Sequence, residues 1–124
     1  MPAANTTVAD VMSTPLEMIS KEATLEAAAT TMRDRDISAL VVSTDPPSIV
    51  TSTDLVAAAA EGRAPTEVRV ADVMTKSVES VPPDLYLEEV AAMLTTFGIN
   101  HLPVEEGDDY VGMVSSTDVT AALS

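Results

Sequence analysis

The sequence predicts an α/β (α+β) protein made of two similar half-sized domains, each a small sheet packed against helices. Three observations carry this prediction. The run Ser48-Ile49-Val50-Thr51-Ser52-Thr53-Asp54-Leu55 returns as Gly112-Met113-Val114-Ser115-Ser116-Thr117-Asp118-Val119, an offset of 64. Val8-Ala9-Asp10-Val11-Met12-Ser13 returns as Val70-Ala71-Asp72-Val73-Met74-Thr75, and Ile37-Ser38-Ala39-Leu40 matches Ile99-Asn100-His101-Leu102, both at an offset of 62. Three separated blocks in the same order are a tandem duplication, and the change of offset puts two added residues in the second copy, around 105–109. The division falls at 1–64 and 65–124.

Each copy is read in the same order. Residues 8–12 and 70–74 place apolar side chains at i, i+3 and i+4 around an outward Asp, which suits one helical turn; Pro15 prevents a longer helix in the first copy. Residues 16–19 and 78–81 are short extended stretches. A helix follows in both copies. In the first it opens at Glu22 or Thr24, with Leu25, Ala28 and Met32 on one face, and turns to solvent at Arg33-Asp34-Arg35-Asp36. In the second, Asp84 is the expected cap after Pro82-Pro83, Leu87, Val90, Ala91 and Leu94 form the stripe, and Gly98 ends the helix.

Residues 37–42 and 99–104 read as strands from their β-branched content after a helix stop. The duplicated runs at 48–55 and 112–119 are strands delivered straight into helix caps. Alanine-rich 55–61 and 119–123 are the closing helices, the first stopped by Gly62. Each copy thus reads turn–β–α–β–β–α. A sheet with helices on one face leaves its other face apolar, and pseudo-twofold pairing of the copies covers it while creating clefts.

Composition narrows the function classes. A unit of about 60 residues is marginal alone, and 46% apolar content supplies a shared core. There are no cysteines, so disulfides and thiolate metal sites are excluded. No segment approaches 18 apolar residues and no basic leader precedes an apolar run, so a soluble cytoplasmic protein is the default expectation. Twenty acids against six bases give a net charge of −14, spread through both copies. Attraction to nucleic acid or an anionic membrane needs a basic face, so neither partner is expected. Such a surface suits a very salty cytoplasm, where ions screen its self-repulsion; ordinary acidic solubility is the alternative.

Taken together, the blocks at 8–13, 49–55, 70–75, 98–104 and 111–119 resemble a pair of CBS domains, a Bateman module, over nearly the whole chain from Val8, in the style of a stand-alone protein from a halophilic archaeon. The resemblance implies a regulatory, non-catalytic module whose inter-domain clefts bind AMP, ADP, ATP or S-adenosylmethionine, with Mg²⁺ as a further candidate. It also implies a homodimer in which two pairs form a four-domain disc. In that family a Ser or Thr three residues before an Asp contacts phosphate and ribose; here these are Thr51 with Asp54 and Ser115 with Asp118, with Thr53 and Thr117 beside them. Residues closing over the base correspond to Ser13, Thr14 and Pro15, to Thr75, Lys76 and Ser77, and to Ala39 and His101.

The chemistry of these side chains agrees with such a role. A carboxylate can accept from both vicinal hydroxyls of a ribose, and a hydroxyl beside unpaired helix N–H groups can hold a phosphate oxygen. The competing reading is that Asp54 and Asp118 cap their helices, which contributes about 0.5–2 kcal/mol each; the two roles are compatible. His101 either contacts a phosphate or base, or is a half-buried histidine bonded to backbone. Lys76 is either a cleft-mouth cation or a surface lysine. The few bases favour a monophosphate or uncharged adenosyl ligand over a triphosphate. A non-catalytic dimerisation or protein-interaction module without nucleotide is the alternative function. No catalytic residue or metal site is expected, since one histidine with scattered carboxylates gives no zinc spacing and no Gly-rich phosphate loop is present.

Overall fold

The computed structural model describes residues 5–14, 16–76 and 79–123. In chain order the elements are α1 (Val8–Val11), β1 (Met18–Ile19), α2 (Leu25–Arg35), β2 (Ala39–Val42), β3 (Ser48–Thr51), α3 (Ser52–Ala60), a 3-10 turn (Val70–Asp72), α4 (Leu87–Phe97), β4 (His101–Glu106), β5 (Asp109–Ser115) and α5 (Ser116–Leu123). The order turn–β–α–β–β–α recurs; in the second copy the described part of the expected first strand forms a bridge at Val81, and Val78 lies outside the described residues.

The chain packs into two compact units that do not follow the repeats. One compact unit is continuous and begins at Glu17; the other is discontinuous, joining the segment that ends at Leu16 to the segment that begins at Glu79. Each repeat has in effect handed its leading turn to the other's sheet and helices.

In the continuous unit β1 runs parallel to β2, and β2 pairs antiparallel with β3 from Ala39 opposite Thr51 to Val42 opposite Ser48. All four residues of β2 are buried. Strands covered on both faces carry unbroken apolar runs rather than alternation, and Ala39-Leu40-Val41-Val42 is such a run. The core gathers Ala28 and Met32 from α2, Leu40 and Val42 from β2, Val50 from β3 and Val70 from the 3-10 turn. A smaller cluster joins Leu25, Ala58 and Val68.

The discontinuous unit repeats this plan. β4 and β5 pair antiparallel from His101 opposite Ser115, and Val81 adds a parallel bridge to Val104. Val8, fully buried, sits in a core with Val81, Leu87, Val90, Leu94, Leu102, Val104, Val114 and Val119. Burying a valine side chain contributes about 1.5–3 kcal/mol, so the short α1 is a structural part of this unit. The two residues added in the second copy lengthen the hairpin. Glu105 faces Tyr110 and Glu106 faces Asp109 beyond a register shift at Val104/Glu105, pairs with no counterpart past Val42 and Ser48.

The exchanged segments also start the long helices. The Leu25 N–H donates to the Val68 carbonyl at 2.9 Å, and the Leu87 N–H donates to the Thr6 carbonyl at 3.1 Å. In α2 the Thr24 hydroxyl accepts from the Ala27 N–H at 3.1 Å, as its sequence position suggests. In α4 the expected Asp84 cap is replaced: the helix begins at Leu87 after an extended Tyr86 that makes no side-chain cap. Asp84 lies instead within the turn closed by the Leu85 N–H on the Pro82 carbonyl. A neighbouring backbone carbonyl satisfies an orphan N–H as well as a side chain does, and position 84 is too early to compete. At the other end of these helices Gly98 takes the left-handed conformation at φ 64°, and Asp36 takes it at φ 54°.

Candidate functional site

The strand-to-helix junctions of the two units are built alike. At the start of α3 the Thr51 N–H donates to Asp54 Oδ2 at 2.8 Å, and the Thr51 hydroxyl meets the same oxygen at 3.2 Å. The Asp54 N–H returns to Thr51 Oγ1 at 3.4 Å. At the start of α5 the Ser115 N–H donates to Asp118 Oδ2 at 2.9 Å, and the Asp118 N–H donates to Ser115 Oγ at 3.1 Å. Both are capping boxes in which Asp stands where Glu or Gln is usual. Oδ1 of each carboxylate takes no part in these boxes. Thr53 and Thr117, one residue before each Asp, are exposed.

Two further Asp carboxylates bond back to the residue three before them, without the reciprocal side-chain bond of a full box, and sequence reading missed them. The Thr7 N–H donates to Asp10 Oδ2 and the Arg69 N–H to Asp72 Oδ2, both at 2.9 Å. The Asp read as simply outward therefore holds the turn, and Thr7-x-x-Asp10 was the available signal. Asp10 and Asp72 are exposed, whereas Thr51, Asp54, Ser115 and Asp118 are half-buried. That difference separates the caps at the strand ends from the caps at the leading turns.

The remaining candidate residues sort between the units through the exchanged segments. Ser13 exchanges backbone hydrogen bonds with Met113, Ser13 N–H to Met113 carbonyl at 2.8 Å and the return at 3.1 Å. Met113 is two residues before Ser115, and side chains two apart on a strand share a face. Ser13 thus lies beside β5 in the unit that holds His101, Ser115 and Asp118. Likewise the Ile49 N–H donates to the Thr75 carbonyl at 2.9 Å with the return at 2.8 Å, which sets Thr75 beside β3, two residues before Thr51, in the unit that holds Ala39 and Asp54. Ser13, Thr14, Thr75 and Lys76 are exposed and Ala39 is buried. Pro15 and Ser77 lie outside the described residues.

The two sites differ in charge and shape. His101 is half-buried and faces Ser115 across the β4–β5 pair, where the continuous unit has Ala39 facing Thr51. Burial holds the imidazole below its ordinary pKa of 6.5, and the Asp118 carboxylate offsets this in part. Gly112 allows the Met12–Ser13 segment to come close: a Cβ there would lie 2.8 Å from Met12 Sδ and 2.9 Å from the Ser13 carbonyl oxygen. Ser48, its counterpart, is buried and bonded to the Thr44 hydroxyl at 2.7 Å. Arg33 pairs with the adjacent Asp34 and Arg35 with Glu17, both at 3.2 Å, so these bases are engaged away from either cap. Among the described residues no group of three or more His, Cys, Asp or Glu side chains is placed to hold a metal ion.

Comparison with known proteins agrees with this architecture. The CBS domain family model matches residues 8–61 and 70–124. An uncharacterised protein of Methanopyrus kandleri is 30% identical over 93 residues, which cover 71% of this chain and 47% of that protein. The chain therefore spans about half the length of this relative. The hexameric CBS-CP12 protein of bloom-forming cyanobacteria superposes with a TM-score of 0.88 at 31% identity, covering 93% of this chain and 69% of that one. A CBS domain pair solved in complex with 5′-methylthioadenosine and S-adenosyl-L-methionine shares the fold, with a TM-score of 0.83 at 24% identity over 95% of each chain. Two matched copies accounting for most of the sequence, and the same fold in solved CBS pairs, place the chain in the CBS domain family, of which it carries two domains.

Proposed function

We propose that this CBS pair is a regulatory, non-catalytic module that binds an adenosyl compound at its strand-to-helix caps. The observation that carries the reading is the duplicated, half-buried box of hydroxyl and carboxylate at Thr51/Asp54 and Ser115/Asp118. In each, Oδ2 is committed to the helix start, and the second carboxylate oxygen is the kind of acceptor that suits a ribose diol. The hydroxyl and the first helical N–H groups suit a phosphate or another polar substituent. The CBS pair solved with S-adenosyl-L-methionine and 5′-methylthioadenosine supports the ligand class. Lys76 is the single cation among the candidate residues, so AMP, S-adenosylmethionine or methylthioadenosine is favoured over ADP and ATP, whose extra charge calls for Mg²⁺ or salt.

Calorimetry in molar KCl with AMP, ATP and S-adenosylmethionine tests this, using the Asp54→Asn and Asp118→Asn proteins as controls. Asn keeps an amide oxygen that can accept from the Thr51 or Ser115 N–H but not a charged acceptor, so each replacement weakens its own site by about tenfold or more with little change in melting temperature. A bound ligand at 100 times its Kd stabilises the fold by about 2.7 kcal/mol. Absence of both heat and thermal shift with every ligand overturns the reading.

A second reading, an interaction module, is favoured by α3. Val56 is 68% exposed there, and the neighbouring Ala57, Ala59 and Ala60 are exposed too. Small side chains let another helix approach closely, so homodimerisation through this face accompanies the proposed ligand role, as the hexameric relative's self-assembly suggests. Sedimentation in high salt that shows only monomer removes it.

A further inference from the structure

The two cap sites share their hydroxyl-and-carboxylate pairs and differ in one titratable side chain. His101 is the only histidine of the chain. It lies directly opposite Ser115 in the β4–β5 ladder, at the end of the hairpin where Asp118 starts α5. Resting on the adenosyl-ligand reading above, we infer that His101 makes the discontinuous unit's site discriminate by charge: an anionic adenosine ligand bound there takes up a proton on the imidazole, and an uncharged one does not. The continuous unit, with buried Ala39 opposite Thr51, binds without that proton.

The surroundings of His101 support a proton-coupled contact. Asp118 is the charged group that acts on the ring, and its attraction is outweighed by burial. The other titratable side chains of the hairpin, Glu105, Glu106, Asp108, Asp109 and Tyr110, lie at its far end, beyond the register shift at Val104/Glu105. On α4, Glu88 and Glu89 stand in the first turn, at the end remote from the junction with β4. On α1, Asp10 is tied to Thr7. A ring held neutral at pH 7 with one carboxylate nearby gains its charge when a second anion arrives, because two negative groups together outweigh the cost of desolvation. Proton uptake and anion binding then reinforce each other by linkage. A neutral thioether or a sulfonium at the same place offers no such gain.

A single histidine makes the test direct, since its ring resonances need no assignment. NMR titration of His101 is run on the free protein, with saturating AMP and with saturating methylthioadenosine, while calorimetry records binding. The expected result is a midpoint raised by AMP and unmoved by methylthioadenosine. AMP affinity in the wild type then gains at least about fivefold over His101→Gln as pH falls from 8 to 5.5; comparing the two proteins cancels the phosphate's own titration. AMP binding by heat with an unmoved His101 midpoint, or equal movement with both ligands, overturns this inference and leaves the adenosyl reading standing. No heat with any ligand overturns both. In Asp118→Asn the free midpoint falls further, and a midpoint that rises there removes Asp118 from the account.

Discussion

The continuous and discontinuous units are two solutions of one plan, and they differ where backbones come close or where charge enters a site. Ladder register, caps and core positions coincide, from Val42 opposite Ser48 and Val104 opposite Gly112 to the boxes at Thr51 and Ser115. The discontinuous unit has Gly112 under Met12, Gly98 at its helix stop and His101 at its cap; the continuous unit has Ser48, Asp36 and Ala39. Divergence at these positions changes local fit and charge while leaving the architecture untouched. The shared caps therefore define the module, and the differing residues define what each site tolerates.

The largest effect that tests the comparison is removal of residues 1–13. This strips Val8 from the discontinuous core and the Ser13 bridge from β5, costing about 3 kcal/mol or more. Hydrogen exchange is expected to show lost protection in β4 and β5 with β2 and β3 retained. Loss in β2 and β3 instead would reverse the assignment of the exchanged segments.

Next in size is Gly112→Ser, which installs the residue of the other copy. Its Cβ collides with Met12 Sδ and with the Ser13 carbonyl, a backbone atom that cannot swing away. A destabilisation of about 1–3 kcal/mol is expected in urea denaturation. An unchanged midpoint would show that the close approach is not a constraint. Smaller again is Asp36→Gly, which relieves a left-handed non-glycine residue at the end of α2 and raises stability by about 0.5–1 kcal/mol. Gly98→Asp lowers it by a similar amount; thermal melts of both separate a true C-cap preference from a global effect.

The pH dependence is the finest distinction. Burial lowers the folded-state pKa of His101 below the unfolded value of 6.5, so as pH falls through that value the unfolded chain binds the proton first. Stability from the neutral ring is fully present above the unfolded pKa and is lost as pH falls toward the folded one. Wild type should therefore lose stability between pH 7.5 and 5 more steeply than His101→Gln in chemical denaturation. Equal slopes would place the ring in water.

Much of this was legible from residues alone. The repeats locate every helix and strand to within a few residues, and the lengthened hairpin lies where the offset changes from 62 to 64. The Thr51–Asp54 and Ser115–Asp118 pairs were readable because a cap is a local motif that spans one helical turn. The cap at Asp84 was misread because the donor left by Leu87 is met by the Thr6 carbonyl, which is distant in sequence.

The duplicated order of elements, the apolar stripes and the cap chemistry are written in the residues alone, because each depends on neighbours a few residues apart. That Val8 and Ser13 join β5, and that Val70 and Thr75 join β3, is visible in the folded chain and not before. A pattern repeated every 62 residues fits either pairing equally well, since both copies of the leading turn present the same apolar spacing. Burial of those side chains in one core rather than the other, and the backbone hydrogen bonds that follow, choose between them.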